Sequence, residues 1–433
     1  MQRPIGVGHA GGNDGARRTR HLGENGCNVG GRAVVGRHGV FVAHAPRSLK
    51  GLRLPSTSPA PTPGPRAVDG VPPDWENDVV VGPVVVSSRA PDGAPCPDVG
   101  AGGPGDVDVD VLLPVRDVSP RWFARALTST LRSRGVRLRV IVVDHASRSP
   151  VVVVEPRVRV LRVDDSLRFA EALDAGLAVC TAPFVARMDA DDVMHPDRLR
   201  LQLQVLRDDD RLGAIASRVK VLPRTTMAMR GYVAWQNATL SADEHARELW
   251  VEQPLCNPAT TFRRSALVEV GGYVEGPGPE DYDLFLRLFR RGWRMAKLPV
   301  VHHAWRQHAA QTTRTAPAHT RDALAALKAR HLVAHFALHD RVVVVAGAGK
   351  EGRRIGRALR AQGVVVAAFV DVDPRKIGRL VHGAPVQPTA WLLSRPAGAF
   401  VLGAVGTSGA RGVVRAFLAA AGVVEGEDGV VVA

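Results

Sequence analysis

The chain has 433 residues, 45% of them hydrophobic, and a formal net charge of +15. That length exceeds one typical domain and suggests two or three, with enough apolar content for real cores. The charge does not by itself indicate nucleic acid. Only six of the 57 basic residues are Lys, and the Arg residues are spread along the chain, without the dense basic tract or interleaved aromatics of a nucleic-acid groove. Anionic nucleotides and acidic lipid headgroups remain compatible partners. Cys27, Cys96, Cys180 and Cys256 are isolated, so neither a disulfide framework nor a C-x-x-C zinc site is expected, and a reducing compartment is the default. No apolar run reaches the roughly 18 residues a bilayer span needs. The expected location is cytoplasmic, with a peripheral position on the membrane face left open, and no pattern specifies an oligomeric state.

Residues 1–105 show no sustained periodicity and contain stretches such as PSTSPAPTPGPR (55–66). They read as a Gly/Pro/Arg-rich disordered extension that contributes nothing to function. Order is expected to begin with VDVDVLLPV (107–115), which alternates and then runs apolar, like a strand entering a buried parallel sheet. Ser119 and Pro120 signal a helix start, and Gly135 closes that helix after about Ser133. VRLRVIVVD (136–144) and VRVLRV (158–163) read as strands, and SLRFAEALDAGLAVC (166–180) as an amphipathic helix. Alternating strands and helices imply βαβ units and a largely parallel sheet, whose ligands bind beyond the carboxyl ends of the strands.

The stretch FVARMDADDVMHPDRL (184–199) carries the chemistry. An apolar run ends in Asp189, Asp191 and Asp192. Residues two apart on a strand share a face, so Asp189 and Asp191 are expected to point the same way and to hold one hard divalent cation, Mg²⁺ or Mn²⁺, with the phosphates of a nucleotide. Helix caps and solvated turns also collect acidic residues, so the cluster gains its meaning from its neighbours. One neighbour is Glu280-Asp281 before the amphipathic run DYDLFLRLFRRG, a second acidic site separate from the metal ligands. A carboxylate bound to a cation is a poor proton acceptor, so a general base has to come from such a site; acidic residues that merely favour a helix N-terminus are the alternative.

LLPVRD, VIVVDHAS, ALDAGLAVCTAPFVARMDADD, NPATTFRRSALVEVGGY and PEDYDLFLRLFRRG, in this order over Val107 to Thr315, resemble the family 2 glycosyltransferases with the GT-A fold. The resemblance implies an inverting transfer of a sugar from a nucleotide-diphospho-sugar to a hydroxyl of a saccharide or lipid-linked acceptor. It matches Asp144 to nucleobase binding, Pro114, Val115 and Arg116 to the loop beside the nucleotide, Asp189 and Asp191 to metal and donor, and Asp281 to the base. WRQHAAQTTR (305–314) resembles the segment that closes over the diphosphate, with Arg306 or His308 on phosphate or simply solvated. Three positions depart from the pattern. His145 and Ala146 stand where an acidic residue and Gly are usual, and Ala is not expected to take the positive φ of Gly; Asp174 stands where Asn is usual. His302 and His303 read as structural. Trp235 and Trp250, in the region where acceptors are recognised, either stack on a sugar or fill the core.

A linking helix is expected over 316–339, from Ala323, Leu324, Leu327, His331 and Leu332 at helical spacing. RVVVVAGAGKEGRRIGRAL (341–359) then carries Gly347, Gly349 and Gly352 in G-x-G-x-x-G spacing, with Asp371 about 20 residues on, where dinucleotide folds contact a ribose. This tail resembles the Rossmann-like half-domains appended to sugar-modifying enzymes. It is too short for both halves of a dinucleotide site. A regulatory or structural unit that binds NAD(P) or another nucleotide, or mediates assembly, is therefore preferred to an oxidoreductase. The expected organisation is 1–105 extension, 106–315 GT-A domain, 316–339 linker and 340–433 Rossmann-like α/β domain. The alternative is an NAD(P)-binding oxidoreductase or nucleotide sensor centred on the tail.

Overall fold

The computed structural model of the chain describes residues 75–78, 86–87, 107–223, 225–309, 311, 316–407 and 409–433. Two sheets carry the architecture. The first is built from β1 (Val109–Val115), β2 (Leu138–His145), β3 (Val158–Val163), β4 (Phe184–Arg187), β5 (Val193–Met194), β6 (Leu212–Leu222), β7 (Thr260–Arg263) and β8 (Arg294–Arg306). Their spatial order is β3-β2-β1-β4-β7-β6-β8-β5. The β3-β2-β1-β4 half is parallel, as expected, β7 runs antiparallel between β4 and β6, and β5 pairs antiparallel with β8. All seven residues of β1 are buried, which is what a strand covered on both faces requires. Pro114 lies inside β1, yet the ladder to β4 ends at Leu112 opposite Arg187, so its missing N–H costs no sheet bond.

Helices α1 (Pro120–Leu131), α2 (Phe169–Ala178) and α3 (Arg198–Asp208) connect the parallel strands; α4 (Met227–Ala238), α5 (Ala242–Glu248) and α6 (Arg264–Glu269) flank β7, and α7 (Glu280–Arg290) precedes β8. Apolar residues recur at helical spacing on α1, which buries Phe123, Ala126, Leu127 and Leu131. No described helix is long and apolar enough to cross a membrane.

The linking helix is α8 (Arg321–Phe336), opened by Thr320, whose hydroxyl accepts from the Ala323 amide at 3.2 Å. Beyond it, β9 (Val343–Ala346), α9 (Lys350–Ala361), β10 (Val366–Asp371), β11 (Leu380–Val381), β12 (Ala384–Pro388), β13 (Phe400–Gly403), α10 (Ala410–Ala420) and β14 (Gly429–Val431) form a second sheet, ordered β11-β12-β10-β9-β13-β14. All its neighbours are parallel except β11 and β12. A mixed α/β chain with a parallel-rich sheet and a second sheet in the C-terminal region is thus the observed fold class. Leu327 and Leu332 of α8 join a single hydrophobic cluster with Phe262 and Phe285 on one side and Phe369 and Phe400 on the other. The two sheets accordingly lie within one compact unit, Pro65–Ala433.

Two short pieces of the stretch read as an inert extension contact later parts of the chain. Trp75–Asp78 forms a 3-10 turn with Trp75 buried beside Val193 and Ala304, and Val86–Ser87 pairs antiparallel with Val152–Val153. The rest of residues 1–106 lies outside the described residues. Trp75 packs edge-on against His195, three residues after the acidic cluster, with ring centroids 5.2 Å apart. This contact joins residues 120 positions apart, which no local pattern in a Pro-rich segment announces.

Candidate active site

β4 stops at Arg187, so Asp189, Asp191 and Asp192 lie in the turn beyond it rather than on the strand, and the Asp192 amide donates to the Asp189 carbonyl at 3.3 Å. The turn achieves what strand alternation was expected to do: one carboxylate oxygen from each aspartate lies within 4.8 Å of the others. Burial, and then the charges of Asp192 and Asp189, push the Asp191 carboxyl up to about 7. Asp192 is displaced upward as well, by its complete burial and the charge of Asp189.

Buried cations and histidines frame this turn. Arg187 donates to Asp189 Oδ1 at 2.8 Å. Arg198, fully buried on α3, donates to the Arg187 carbonyl at 2.7 Å and faces His303 Nδ1 at 3.1 Å; burial pulls its guanidinium down to about 9. His303 Nε2 lies 2.8 Å from Asp192 Oδ2, while Asp192 Oδ1 accepts from the Arg306 amide at 2.7 Å. Asp192 therefore has both oxygens engaged by the protein and acts as a strut. Asp189 and Asp191 are more open, with side-chain exposures of 34% and 13%.

The end of β8 and His308 just beyond it lie against this turn. His308 Nε2 sits 2.9 Å from Asp191 Oδ2, and Arg306 Nε donates to the Asp191 carbonyl at 2.7 Å. The Arg306 guanidinium also lies 5.0 Å from the Trp122 ring, a cation–π arrangement. A cavity of about 440 Å³ opens here, lined by Asn77, Trp122, Arg125, Arg306 and His308 among others.

The second acidic site stands at the start of α7. Pro279 precedes the helix, and Glu280, Asp281 and Asp283 fill its first turn, where the helix dipole favours carboxylates. The Tyr282 amide donates to Asp281 Oδ1 and the Gln253 side chain to Asp281 Oδ2, both at 2.8 Å. Burial, and then the charge of Asp281, raise the neighbouring Glu280 to about 8. Asp189 also raises Glu280, so the two acidic sites sense one another. Asp283 does a different job. Burial alone would raise its carboxyl, but His331 and Arg287 hold it down to about 2 by hydrogen bonding and charge.

At the end of β2, Asp144 is fully buried and accepts from the Ser147 amide at 3.0 Å, the Val151 amide at 3.1 Å and Arg162 at 2.6 Å. In this arrangement its carboxylate organises the 145–151 loop. Ala146 takes a φ of +50° there, contrary to expectation: the loop keeps the glycine conformation with an alanine in it, at a cost of about 1–2 kcal/mol. Pro114 and Val115 are strand residues rather than loop residues, and Arg116 is exposed just beyond, paired with Asp165 at 2.6 Å. Asp174 accepts from the Tyr273 amide at 3.2 Å. Of the two tryptophans, Trp250 fills the core against Phe289 and Phe336, and Trp235 donates to Glu248 at 3.0 Å.

Residues 110–271 match the model of the family described as Glycosyl transferase family 2. The comparisons support a family 2 glycosyltransferase. Among curated relatives, the amylovoran biosynthesis glycosyltransferase AmsE of Erwinia amylovora is 27% identical over 164 residues, 38% of this chain and 57% of that protein. The pre-mycofactocin glycosyltransferase of Mycobacterium tuberculosis is 31% identical over 207 residues, covering 46% and 43%. The chain spans about half the length of the curated relatives it matches. Among solved structures, S. aureus TarS in complex with UDP-GlcNAc aligns at a TM-score of 0.42 and 11% identity, covering 58% of this chain and 71% of that one.

The matched segment holds several residues near the acidic groups that the sequence did not single out: Arg187 and Arg198 beneath the acidic turn, Trp122 beside Arg306, and Gln253 on Asp281. Arg187 carried a readable signal, an arginine closing an otherwise apolar buried strand. The family match stops at residue 271, and the glycine turn of the second sheet lies beyond it. There Gly347 has φ +119°, and a Cβ on Gly352 would lie 1.7 Å from the Gly347 carbonyl oxygen, so both glycines are required by the packing; Gly349 faces open space. Asp371 accepts from the Ala348 amide at 2.8 Å, the Asp373 amide at 2.9 Å and Lys376 at 3.0 Å.

Proposed function

We propose that the chain is an inverting, metal-dependent glycosyltransferase that moves a sugar from a nucleotide-diphospho-sugar to a hydroxyl acceptor. The observation that carries this reading is the pairing of two distinct acidic sites: the crowded turn of Asp189, Asp191 and Asp192, and the oriented carboxylate of Asp281. Carboxylates held within 4.8 Å of one another repel, which favours a proton or a cation among them, and their hard oxygens suit Mg²⁺ or Mn²⁺. Asp189 and Asp191 would hold the ion, which when bound neutralises charge on the departing diphosphate. Asp281 takes the proton from the acceptor hydroxyl as the new bond forms at the anomeric carbon and the bond to the diphosphate breaks on the opposite face. Glu280, beside it, keeps a second carboxyl at the acceptor side.

Arg306 and His308 are the candidates for contacting the diphosphate, since they already close over Asp191. The loop after β2, held by Asp144, and the Pro114–Arg116 end of β1 would form the nucleotide wall. The domain boundaries we propose are 106–315 for this machinery, 316–339 for the linking helix and 340–433 for a Rossmann-like domain. A role in cell-surface polysaccharide or glycoconjugate synthesis, at the cytoplasmic face, fits relatives named for amylovoran and succinoglycan biosynthesis.

Calorimetry of UDP and GDP binding to the full chain, with and without Mn²⁺ and repeated on Asp191→Ala, tests the reading. Metal-dependent binding that disappears in the variant is expected. Binding indifferent to both metal and variant would remove the donor site from the acidic turn.

A further inference from the structure

Between α5 and β7 the chain runs through Val251–Leu255, and this loop is fastened on two sides. On the catalytic side, the Gln253 side-chain amide donates to Asp281 Oδ2 at 2.8 Å and to the Leu255 carbonyl at 3.0 Å. Two acceptors leave the amide only one sensible orientation, because a flipped carboxamide would turn its oxygen onto a carboxylate. The Gln253 carbonyl in turn accepts from the Tyr232 hydroxyl at 3.0 Å and from Gln236 at 3.3 Å, both on α4. With the Tyr282 amide on Oδ1, Asp281 has a donor on each oxygen, which fixes the plane of its carboxylate.

On the other side, the fastenings come from beyond the family match. The Lys328 ammonium bridges the Val251 carbonyl at 3.0 Å and the Val432 carbonyl at 2.7 Å. Val432 is the penultimate residue of the chain and follows β14. Glu248, at the end of α5, is buried, and receives Arg415 at 2.7 Å and Arg411 at 3.2 Å, both from α10, besides the Trp235 indole. The Arg411 guanidinium also lies 5.2 Å from the Trp235 ring. A buried carboxylate gripped by two arginines of α10 is a registration device: replacing both arginines strips it of its close charged partners.

We propose that Gln253 is a positioning residue for Asp281, and that the C-terminal sheet, through Arg411, Arg415 and the Lys328–Val432 bridge, holds the loop that presents it. The C-terminal region then sets the geometry of the acceptor side. This rests on the reading of Asp281 as the base. A misplacement of a catalytic group by about 1 Å can cost on the order of 100-fold in rate.

The test uses the full chain and follows nucleoside diphosphate release from a panel of UDP- and GDP-sugars, in Gln253→Leu, in Arg411→Ala/Arg415→Ala and in Asp281→Asn. Gln253→Leu is expected to lower kcat about 10- to 100-fold, with KM for the donor within twofold of wild type. The double arginine variant should move kcat the same way, and hydrogen–deuterium exchange should quicken over 249–256 and 280–283 while staying put in β1, β2 and β4. Wild-type kcat in Gln253→Leu, or exchange in the double variant that is unchanged or quickened throughout the chain, overturns the proposal even if Asp281→Asn is inactive. An Asp281→Asn enzyme with full activity sinks the reading of the base, and the positioning role with it. The exchange measurement decides the coupling between the two sheets without any turnover.

Discussion

Past β4, Asp189, Asp191 and Asp192 crowd into one turn and two of them are driven toward protonation, whereas Asp371, at the end of β10, accepts from two backbone amides and a lysine and its carboxyl is held low. Both ends of sheet place aspartate where α/β proteins bind ligands. Their electrostatics differ. The first spends burial on carboxylates that remain in conflict, a state that a cation or a substrate relieves; the second resolves its charge internally and uses it to tie the glycine turn to the strand. In the function proposed above, the conflict at the first turn is what a cation would relieve, while the charge of Asp371 serves the architecture.

The largest effect that can break this contrast lies at α7. Asp281→Asn should reduce turnover by about 10²- to 10⁴-fold, the usual contribution of a general base, while Mn²⁺-dependent binding of nucleoside diphosphate persists. Steady-state kinetics beside calorimetry checks both halves, and loss of binding together with turnover would mean that the two acidic sites are one.

On the architectural side, Gly352→Ala puts a methyl group 1.7 Å from the Gly347 carbonyl and should cost about 3 kcal/mol of stability, toward the upper end for overpacking. Urea unfolding would read it.

Asp283, two residues after Asp281 on α7, offers a resolved charge beside the second acidic site. Held at about 2 against an ordinary 3.8, its carboxyl contributes about 2 kcal/mol. Because the folded value is the lower one, that stability is fully present above about pH 4 and is lost as the pH falls through about 2. The unfolding free energies of the wild type and Asp283→Asn should therefore differ at neutral pH and converge in acid. A constant gap down to pH 2 would show that the carboxylate's charge contributes nothing.

The smallest effect is the most discriminating for the C-terminal sheet. Gly349→Ala meets open space at an ordinary φ and should change stability by less than about 0.5 kcal/mol.

Much of the architecture was legible. β3 spans the expected 158–163, β1 starts two residues later than expected, and α8 falls within the linking helix, because apolar residues recur at the periods that strands and helices impose. The acidic turn, the aspartate opening α7 and the glycine spacing could be read from neighbouring residues for the same reason: each is local chemistry. The partnerships could not. His303 with Asp192, Gln253 with Asp281, Trp75 with His195 and Glu248 with α10 join positions from 28 to 167 residues apart. Nor did an alanine in place of glycine predict its loop, since the neighbouring Asp144 contacts hold Ala146 in a conformation its own preference disfavours. The sequence by itself determined which segments become strands and helices and where carboxylates gather, since periodicity and short-range hydrogen bonding act over a few residues. Only the tertiary structure decided which carboxylates are relieved and which stay in conflict, because desolvation and charge pairing depend on what the fold brings within a few ångströms.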